Sequence, residues 1–457
     1  MINIFKPARF DVTNSLDKTC SGCDSISSSN HPLTDQEWHP NLWPPFTQMA
    51  TALPPQQVIG ASGALLLRKD APPLIDAISS WWVTLHGHSE PSIAAAVSEQ
   101  AQKLEQVIFA DFTHPQAEHL SEQLALITGL QRLFFSDNGS TAVEVALKIA
   151  IQWWYNQGQF RQQVIAFEGA YHGDTFGAMA VGERSLFSEP FEDKLFSVAR
   201  VPWPATWWDD QEVEEKESSA LKALEQCLET PTAAVILEPL LQGAGGMRIV
   251  RESFLRSVQQ LVRQAGALLI ADEVLTGFGR TGEMFASQRA GITPDLMALS
   301  KGLTGGFLPM GVTMASEEVF KKFVGSDPNL TLWHGHSFTA NPLGCAAAIA
   351  SLKLLQADPE KFIDFEERHR DYLVELSFNP RVQRARLIGT MAAFDLKVEG
   401  TQGYLNPAGK KLKSLALKHG VFLRPLGSVI YLLPPLCITD EQLNQCYRSI
   451  AAALEEL

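Results

Sequence analysis

Short apolar runs alternate with amphipathic stretches along most of this chain. The apolar runs are too short for stable helices, and their length and composition are typical of buried strands. The stretches between them repeat apolar residues at helical spacing. Strands are predicted at 133–135, 164–167, 233–237, 267–271 and 296–299, and helices over 91–104, 114–126, 142–154, 220–228 and 345–355. This alternation predicts an α/β fold with a mostly parallel, doubly wound sheet covered by helices.

The two ends of the chain differ from this middle. The first residues show little periodicity and are rich in Ser and Asn, whereas alternating runs between 59 and 78 predict short strands. Strands near 391–396 and 429–433 predict a small α+β region, so that both termini build a smaller α+β domain. We expect a loosely ordered extension over 1–37, the N-terminal part of the small domain over 38–85, a large domain over 86–345 and the C-terminal small domain over 346–457.

Charge and cysteine content limit the classes of partner and metal site that we expect. With 37 basic against 51 acidic residues the formal net charge is −14, which argues against nucleic acid or an anionic membrane surface as a partner. No apolar run approaches the ~18 residues of a membrane span, so we expect a cytoplasmic location, or an organelle matrix if the N-terminal residues are a removable address. The Cys20 and Cys23 spacing is not completed by a second pair, so we expect no metal.

Charged residues stand at the carboxyl ends of two predicted strands. Asp272 and Glu273 follow the run that ends at 271, and Lys301 follows the run that ends at 299. Open α/β sheets bind ligands at this edge, so we expect Asp272 and Lys301 to face one pocket. A lysine beside an acid suits pyridoxal phosphate (PLP), because the lysine binds the cofactor covalently and the acid keeps its pyridine nitrogen protonated. An ordinary salt bridge is the alternative.

Two polar loops carry further candidates. Gly139 and Ser140 lie between a predicted strand and a strong helix pattern, where free backbone amides would face an anion. A simple helix cap is the alternative there. Tyr171 and His172 lie in a glycine-containing loop after the next predicted strand, where a turn tyrosine and a structural histidine are the alternatives to a site.

The motifs around Lys301 resemble those of a known family. In order and spacing they closely resemble the signature of the class III PLP-dependent aminotransferases, which are fold-type I enzymes, and the likeness covers roughly residues 40–455. It implies that Asp272 pairs with the pyridine nitrogen and that Lys301 carries the cofactor. The matching motifs are Ile270-Ala271-Asp272-Glu273-Val274, Gly277-Phe278-Gly279-Arg280-Thr281-Gly282, Pro294-Asp295 and Ser300-Lys301-Gly302.

The same resemblance assigns roles to the loops. It implies that Gly139 and Ser140 bind the phosphate of pyridoxal 5'-phosphate. It implies that Tyr171 stacks on the cofactor ring, as the third catalytic residue beside Lys301 and Asp272.

A second subunit is also implied. His336 and Ser337 belong to a loop that, in the family, reaches from one subunit to the phosphate bound in the other. We therefore expect a homodimer with small-molecule substrates. The substrate site is expected to contain Trp81, Tyr171, Lys301, Gly335 and Arg424.

Further motifs are Trp43-Pro-Pro-Phe46-Thr47-Gln-Met49, Ser79-Ser80-Trp81-Trp82, Tyr171-His172-Gly173-Asp174-Thr175-Phe176-Gly177 and Arg424-Pro425. Within this family their combination resembles enzymes of biotin biosynthesis. That likeness implies transamination of 8-amino-7-oxononanoate to 7,8-diaminononanoate, with Arg424 on the keto-acid carboxylate and Trp81 along an apolar tunnel. S-adenosylmethionine and lysine both stay open as amino donor, because Phe46 and the loop around His336 depart from the relatives that use S-adenosylmethionine. The alternatives are a transaminase for ornithine, GABA or ω-amino acids, a PLP-dependent aminomutase, or a non-catalytic PLP-binding protein. A surface ion pair at Arg424 and core packing at Trp81 are the alternatives for those residues.

Overall fold

The computed structural model describes residues 38–398 and 406–457. The extension expected over 1–37, with Cys20 and Cys23, lies outside the described residues. The chain divides into an N-terminal unit that ends at Gln57 and a compact unit over Val58–Leu457. In the described part of the first unit, the Trp38 indole N–H donates to the Leu53 carbonyl at 3.0 Å.

The regular elements alternate between strands and helices over most of the second unit. The strands are β1 (Val58–Ser62), β2 (Leu65–Arg68), β3 (Ala71–Asp76), β4 (Arg132–Ser136), β5 (Gln163–Phe167), β6 (Ala199–Val201), β7 (Thr232–Leu237), β8 (Leu241–Gln242), β9 (Arg248–Ile249), β10 (Leu268–Asp272), β11 (Leu296–Leu299), β12 (Gly311–Ala315), β13 (Val382–Ile388), β14 (Met391–Leu396), β15 (Val421–Phe422) and β16 (Val429–Leu432). The helices are α1 (Ser79–Trp82), α2 (Pro91–Ala101), α3 (Pro115–Thr128), α4 (Gly139–Tyr155), α5 (Phe176–Val181), α6 (Val213–Leu228), α7 (Glu252–Gln264), α8 (Ala286–Ala290), α9 (Glu317–Lys321), α10 (Pro342–Ala357), α11 (Glu360–Ile363), α12 (Phe365–Ser377), α13 (Pro407–Lys418) and α14 (Asp440–Glu455).

A seven-stranded sheet forms the centre, in the order β4-β12-β11-β10-β7-β5-β6. The pairs β11–β10, β10–β7, β7–β5 and β5–β6 are parallel, and β12 runs antiparallel to both of its neighbours. The predicted α/β fold with a mostly parallel sheet is therefore confirmed. The antiparallel strand β12 was not anticipated.

Helices cover both faces of this sheet, which explains why its strands read as continuous apolar runs. All five residues of β10 are buried. Leu269 belongs to a core with Val258 of α7, whereas the next residue, Ile270, belongs to a core with Val145 of α4. Because successive side chains point to opposite faces, both faces of β10 require apolar residues.

The two ends of the second unit share one small sheet. β3 pairs in parallel with β15, with Ile75 opposite Val421. A separate antiparallel sheet has the order β13-β14-β16. The domain boundaries expected at residues 86 and 346 stay a prediction. No helix in the described ranges is long and apolar enough to cross a membrane.

Candidate active site

Three neighbouring strands of the central sheet deliver charged residues to one edge. β10 ends at Asp272, β11 leads into Lys301, and β7 leads into Glu238. β10 pairs in parallel with both β7 and β11, so these three residues meet at the carboxyl end of the sheet. They line a cavity of about 370 Å³ whose walls are Trp82, Val83, Asn138, Gly139, Ser140, Tyr171, His172, Gly173, Glu238, Ala244, Asp272, Val274, Leu275, Ser300, Lys301, Gly306, Leu308 and Pro309. A wider groove of about 720 Å³ involving α2, α3 and α10 has none of the predicted site residues in its described lining.

Lys301 opens a 3-10 turn, Lys301–Thr304, directly after β11. Its φ is 41°, a left-handed conformation that costs a residue with a side chain about 1–2 kcal/mol and must be held by its surroundings. The Lys301 amine lies 4.8 Å from the centroid of the Trp82 ring. Burial lowers the pKa of Lys301 from 10.5 to about 8, against the opposing charges of Asp272 and Glu238. Near neutral pH about a tenth of this amine is therefore neutral and nucleophilic, far more than for an ordinary lysine.

Asp272 is held on both carboxylate oxygens. One oxygen lies 2.6 Å from Nδ1 of His172, and the other accepts the backbone N–H of Val274 at 3.0 Å. The carboxylate is almost fully buried, at 3 % exposure. On the far side of the His172 ring, Nε2 is buried and has no hydrogen-bond partner within the described chain. His172 therefore holds the Asp272 carboxylate in a fixed orientation in the cavity wall.

Glu238 ties the Tyr171 loop to the sheet. Its two carboxylate oxygens accept the backbone N–H groups of Tyr171 and Gly243, each at 3.0 Å. Burial raises the pKa of Glu238 to about 7, and the nearby charge of Asp272 adds to the rise. Burial likewise raises the pKa of Tyr171, so its phenol stays protonated at neutral pH.

The N-terminus of α4 faces the same cavity. Asn138 caps this helix, because its side chain accepts the N–H of Thr141 while the Thr141 hydroxyl accepts the N–H of Asn138. The N–H groups of Gly139 and Ser140 donate to no acceptor in the described parts of the chain. A Cβ on Gly173 would lie 2.0 Å from the Ser140 hydroxyl, so only glycine admits Ser140 here. Free amides and the dipole of a 17-residue helix suit an anion.

An unusual backbone segment presents Trp82 to Lys301. Ser79, Ser80 and Trp82 have φ values of 53°, 60° and 66°. The Asp76 carboxylate accepts the backbone N–H of Ser80 at 2.6 Å, and the Ser79 hydroxyl donates to the Leu433 carbonyl at 2.7 Å. These contacts hold the segment so that Trp82, rather than its neighbour, lines the cavity.

Five predicted site residues lie outside the lining of this cavity: Trp81, Gly335, His336, Ser337 and Arg424. The Arg424 guanidinium lies 4.5 Å from the centroid of the Trp81 ring. His336 lies 3.3 Å from the Asp137 carboxylate and 3.0 Å from the ring of His334. The roles of these five residues stay predictions.

Among the cavity-wall residues that were not predicted as site residues, Trp82, His172 and Glu238 contact or hold the predicted ones. The sequence signal for Glu238 was available, because it follows a buried strand just as Asp272 does. For His172 the sequence leaves a structural histidine as the alternative to a site residue and assigns it no catalytic role. The sequence pattern does not show which of Trp81 and Trp82 lines the cavity. That depends on how the preceding serines contact Asp76 and Leu433.

The cavity residues fit pyridoxal phosphate. An amine with a lowered pKa, a buried carboxylate and a helix N-terminus with free amides match the aldehyde, the pyridine nitrogen and the phosphate of that cofactor. This combination at the carboxyl edge of an α/β sheet defines the class of PLP-dependent enzymes.

Comparison with known proteins identifies the family. The profile described as aminotransferase class-III matches residues 50–454. The chain is 55% identical to the adenosylmethionine-8-amino-7-oxononanoate aminotransferase of Synechococcus elongatus, over 92% of this chain and 99% of that protein. It is 38% identical to the protein of the same name in Geobacter sulfurreducens, over 88% and 93% of the two chains.

Solved structures of transaminases share the fold of this chain. The adenosylmethionine-8-amino-7-oxononanoate aminotransferase of Methanocaldococcus jannaschii superposes with a TM-score of 0.85 at 30% identity, over 91% of this chain and 97% of that one. A PLP-bound amine transaminase from an uncultivated Pseudomonas species gives 0.86 at 27% identity, over 92% and 100%. The chain belongs to the class III aminotransferase family. It is a PLP-dependent transaminase, which confirms the predicted fold type, activity and cofactor.

Proposed function

We propose that this transaminase transfers an amino group to 8-amino-7-oxononanoate and so forms 7,8-diaminononanoate in biotin biosynthesis. The observation that carries the proposal is the 55% identity, over 92% of the chain, with an enzyme named for that acceptor. The names of these relatives favour S-adenosylmethionine as donor, and lysine stays the alternative.

Each cavity residue has a separate role in the proposed amino transfer. When bound, pyridoxal phosphate supplies an electron sink beside the nitrogen that is transferred. Asp272, oriented by His172, would hold the proton on the pyridine nitrogen. The Lys301 amine would take the proton from the donor carbon that bears the amino group, and would later deliver one to the C7 keto carbon of the acceptor. Tyr171 would contact the ring of the cofactor, and the amides of Gly139 and Ser140 would bind its phosphate.

In this proposal Arg424 binds the carboxylate at the far end of the substrate. A long aliphatic acid needs an apolar path and one cation at its end, and the Arg424 guanidinium on the Trp81 ring provides both chemistries side by side. The Lys413 amine lies within electrostatic reach of Arg424, since burial and the charge of Arg424 both lower the pKa of Lys413.

A homodimer and a cytoplasmic location complete the proposal. The phosphate loop residues Gly335, His336 and Ser337 do not line the cavity of their own chain. This placement supports their expected role in the active site of a partner subunit.

The proposed acceptor is tested by competition among keto compounds. Purified enzyme loaded with PLP is given S-adenosylmethionine, lysine, ornithine or GABA, each with 8-amino-7-oxononanoate, pyruvate or succinic semialdehyde. We expect the highest kcat/KM for 8-amino-7-oxononanoate, with 7,8-diaminononanoate identified by mass spectrometry. A higher value for another acceptor would reject the proposal, and turnover of a single substrate without donor would indicate an aminomutase.

Arg424→Ala is expected to weaken the acceptor half-reaction. Loss of a partly buried pair between a guanidinium and a carboxylate costs about 2–5 kcal/mol, so kcat/KM for 8-amino-7-oxononanoate falls by more than tenfold. The donor half-reaction should change less for a donor that does not pair its carboxylate with Arg424. Stopped-flow absorbance of the cofactor measures the two half-reactions separately.

Arg384→Ala is the matched control for this variant. Its guanidinium also lies on a tryptophan ring, 4.6 Å from the centroid of Trp207, but away from the cavity. If Arg424→Ala affects the acceptor half-reaction no more than Arg384→Ala does, the pair of Arg424 with Trp81 is only a surface contact, worth less than about 1 kcal/mol.

A further inference from the structure

Hydroxyl groups at both ends of the turn that carries Lys301 donate to carbonyl groups of the segment that follows it. The Ser300 hydroxyl donates to the Met310 carbonyl at 2.6 Å, and the Thr304 hydroxyl donates to the Leu308 carbonyl at 2.6 Å. The carbonyl of Gly302, directly after Lys301, accepts the backbone N–H of Gly305 at 3.0 Å. These bonds fix the turn and the segment that follows it relative to each other. A further contact joins the turn to α10.

That contact is a chain of two hydrogen bonds that ends on the Gly302 carbonyl. The hydroxyl of Ser351, fully buried on α10, lies 3.1 Å from this carbonyl. Nε2 of His86 lies 2.9 Å from the same hydroxyl. A carbonyl oxygen can only accept a hydrogen bond, so the Ser351 hydroxyl donates its hydrogen to Gly302. It must therefore accept a hydrogen bond from His86. His86 is therefore the tautomer with hydrogen on Nε2, and burial lowers its pKa to about 4, which keeps the ring neutral.

The segment before His86 packs against the same turn. A Cβ on Gly306 would lie 2.9 Å from the Val83 carbonyl, and one on Gly305 would lie 3.2 Å from the His86 ring. Trp82, four residues before His86, faces the Lys301 amine at 4.8 Å. One short stretch of chain therefore contacts Lys301 from the cavity side and supports its backbone from behind.

We propose that Ser351 and His86 are positioning residues for Lys301, which hold the Gly302 carbonyl and so keep the left-handed turn that directs the lysine amine into the cavity. Neither residue lines the cavity, so neither touches cofactor or substrate. The inference rests on the proposed role of Lys301 as the residue that carries the cofactor. The Lys301 side chain shares this site with Asp272, Glu238 and Arg280, whose charges act on its amine.

Removal of either support is expected to let the Lys301 amine leave its buried position. The test strips the full-length chain of cofactor and methylates it with formaldehyde and cyanoborohydride across a pH series, with peptide mass spectrometry of each lysine. In the wild type, labelling of Lys301 has its midpoint near pH 8, whereas the exposed Lys194 serves as the internal reference. In Ser351→Ala and His86→Leu the midpoint of Lys301 moves upward by about one pH unit, toward the ordinary lysine value.

Kinetics of the loaded enzyme give the second readout. Loss of one hydrogen bond that orients a catalytic amine is expected to lower kcat about tenfold while KM for the acceptor changes less than about twofold. His86→Gln retains a side-chain N–H at the position of Nε2 and should restore both the midpoint and kcat. Ser449→Ala removes another buried serine hydroxyl, on the C-terminal helix α14, which donates to the His419 carbonyl at 3.4 Å. This variant should change neither the midpoint of Lys301 nor kcat.

Two outcomes overturn the inference in distinguishable ways. If Ser351→Ala lowers the melting temperature as Ser449→Ala does, but leaves the Lys301 midpoint and kcat unchanged, then Ser351 is only a packing residue. If borohydride reduction of the wild-type holoenzyme places the pyridoxyl group on another lysine, the proposed role of Lys301 fails and the positioning role fails with it. A pyridoxyl group on Lys301 with an unmoved midpoint rejects the positioning role alone.

Discussion

Lys301→Ala is expected to lower the rate of amino transfer by at least about 10⁴-fold, since general acid–base catalysis alone contributes about 10²–10⁴ and the covalent hold on the cofactor is lost as well. No other lysine lines the described cavity, so no neighbouring amine can take over. The fold should persist, because Lys301 makes no ion pair in the described chain and its amine faces the cavity. Steady-state production of 7,8-diaminononanoate measures the loss.

Lys194→Ala controls for the loss of a lysine as such. Its side chain is 66 % exposed and, within the described residues, its ion pair is with Asp193, so its removal should leave the rate unchanged. A Lys301→Ala enzyme that keeps its cofactor and works within a hundredfold of the wild type would contradict the assignment of Lys301.

Asp272→Asn is expected to lower the rate by roughly 10³-fold, which corresponds to about 4 kcal/mol of lost stabilisation at about 1.4 kcal/mol per tenfold. Asparagine keeps the shape and can still accept the N–H of Val274, but it carries no charge to hold a proton on the pyridine nitrogen. The loss should fall on both half-reactions alike, because both need that proton. Single-turnover absorbance of the cofactor measures each half-reaction.

Asp295→Asn is the matched control, because Asp295 is a largely buried carboxylate at the opposite end of the same strands, where it accepts the N–H of Leu269 at 2.8 Å. It should cost stability without a comparable loss of rate. A cofactor methylated at its pyridine nitrogen carries a permanent charge and should restore part of the rate of Asp272→Asn. No restoration, together with a large loss in Asp295→Asn, would assign Asp272 a structural role only.

The parts of the site that depend on local pattern were predictable from the sequence. Asp272 and Lys301 each follow a short apolar run, and parallel strands necessarily place such residues at one edge. Gly139 and Ser140 lie between a strand and a helix, an order that favours either an anion site or a simple cap, and the family resemblance indicates the anion site. The structure brings these four residues to one cavity.

The parts that depend on distant contacts were not predictable. Trp82 lines the cavity in a segment that is held by the Ser79 hydroxyl, which donates to the carbonyl of Leu433 about 350 residues away. Ser351 supports the Lys301 turn from a helix whose sequence reads only as alanine-rich. Helical periodicity cannot indicate that one serine on such a helix points at a particular carbonyl.

One strand of the central sheet was not predicted from the sequence. β12 was missed because its five residues, 311–315, follow a glycine- and proline-containing loop, and only pairing with β4 and β11 defines them as a strand.

Borohydride trapping at three points of the catalytic cycle tests the central claim most directly. The claim is that the Lys301 amine holds the cofactor, releases it when a donor delivers an amino group, and takes it back when 8-amino-7-oxononanoate accepts that group. Peptide mapping should find the pyridoxyl label on Lys301 in the resting enzyme, lose it after the donor alone, and find it again after the keto acid is added, with one 7,8-diaminononanoate formed per site. A label on another lysine, a label that persists after every donor, or a label that pyruvate restores and 8-amino-7-oxononanoate does not would contradict the account.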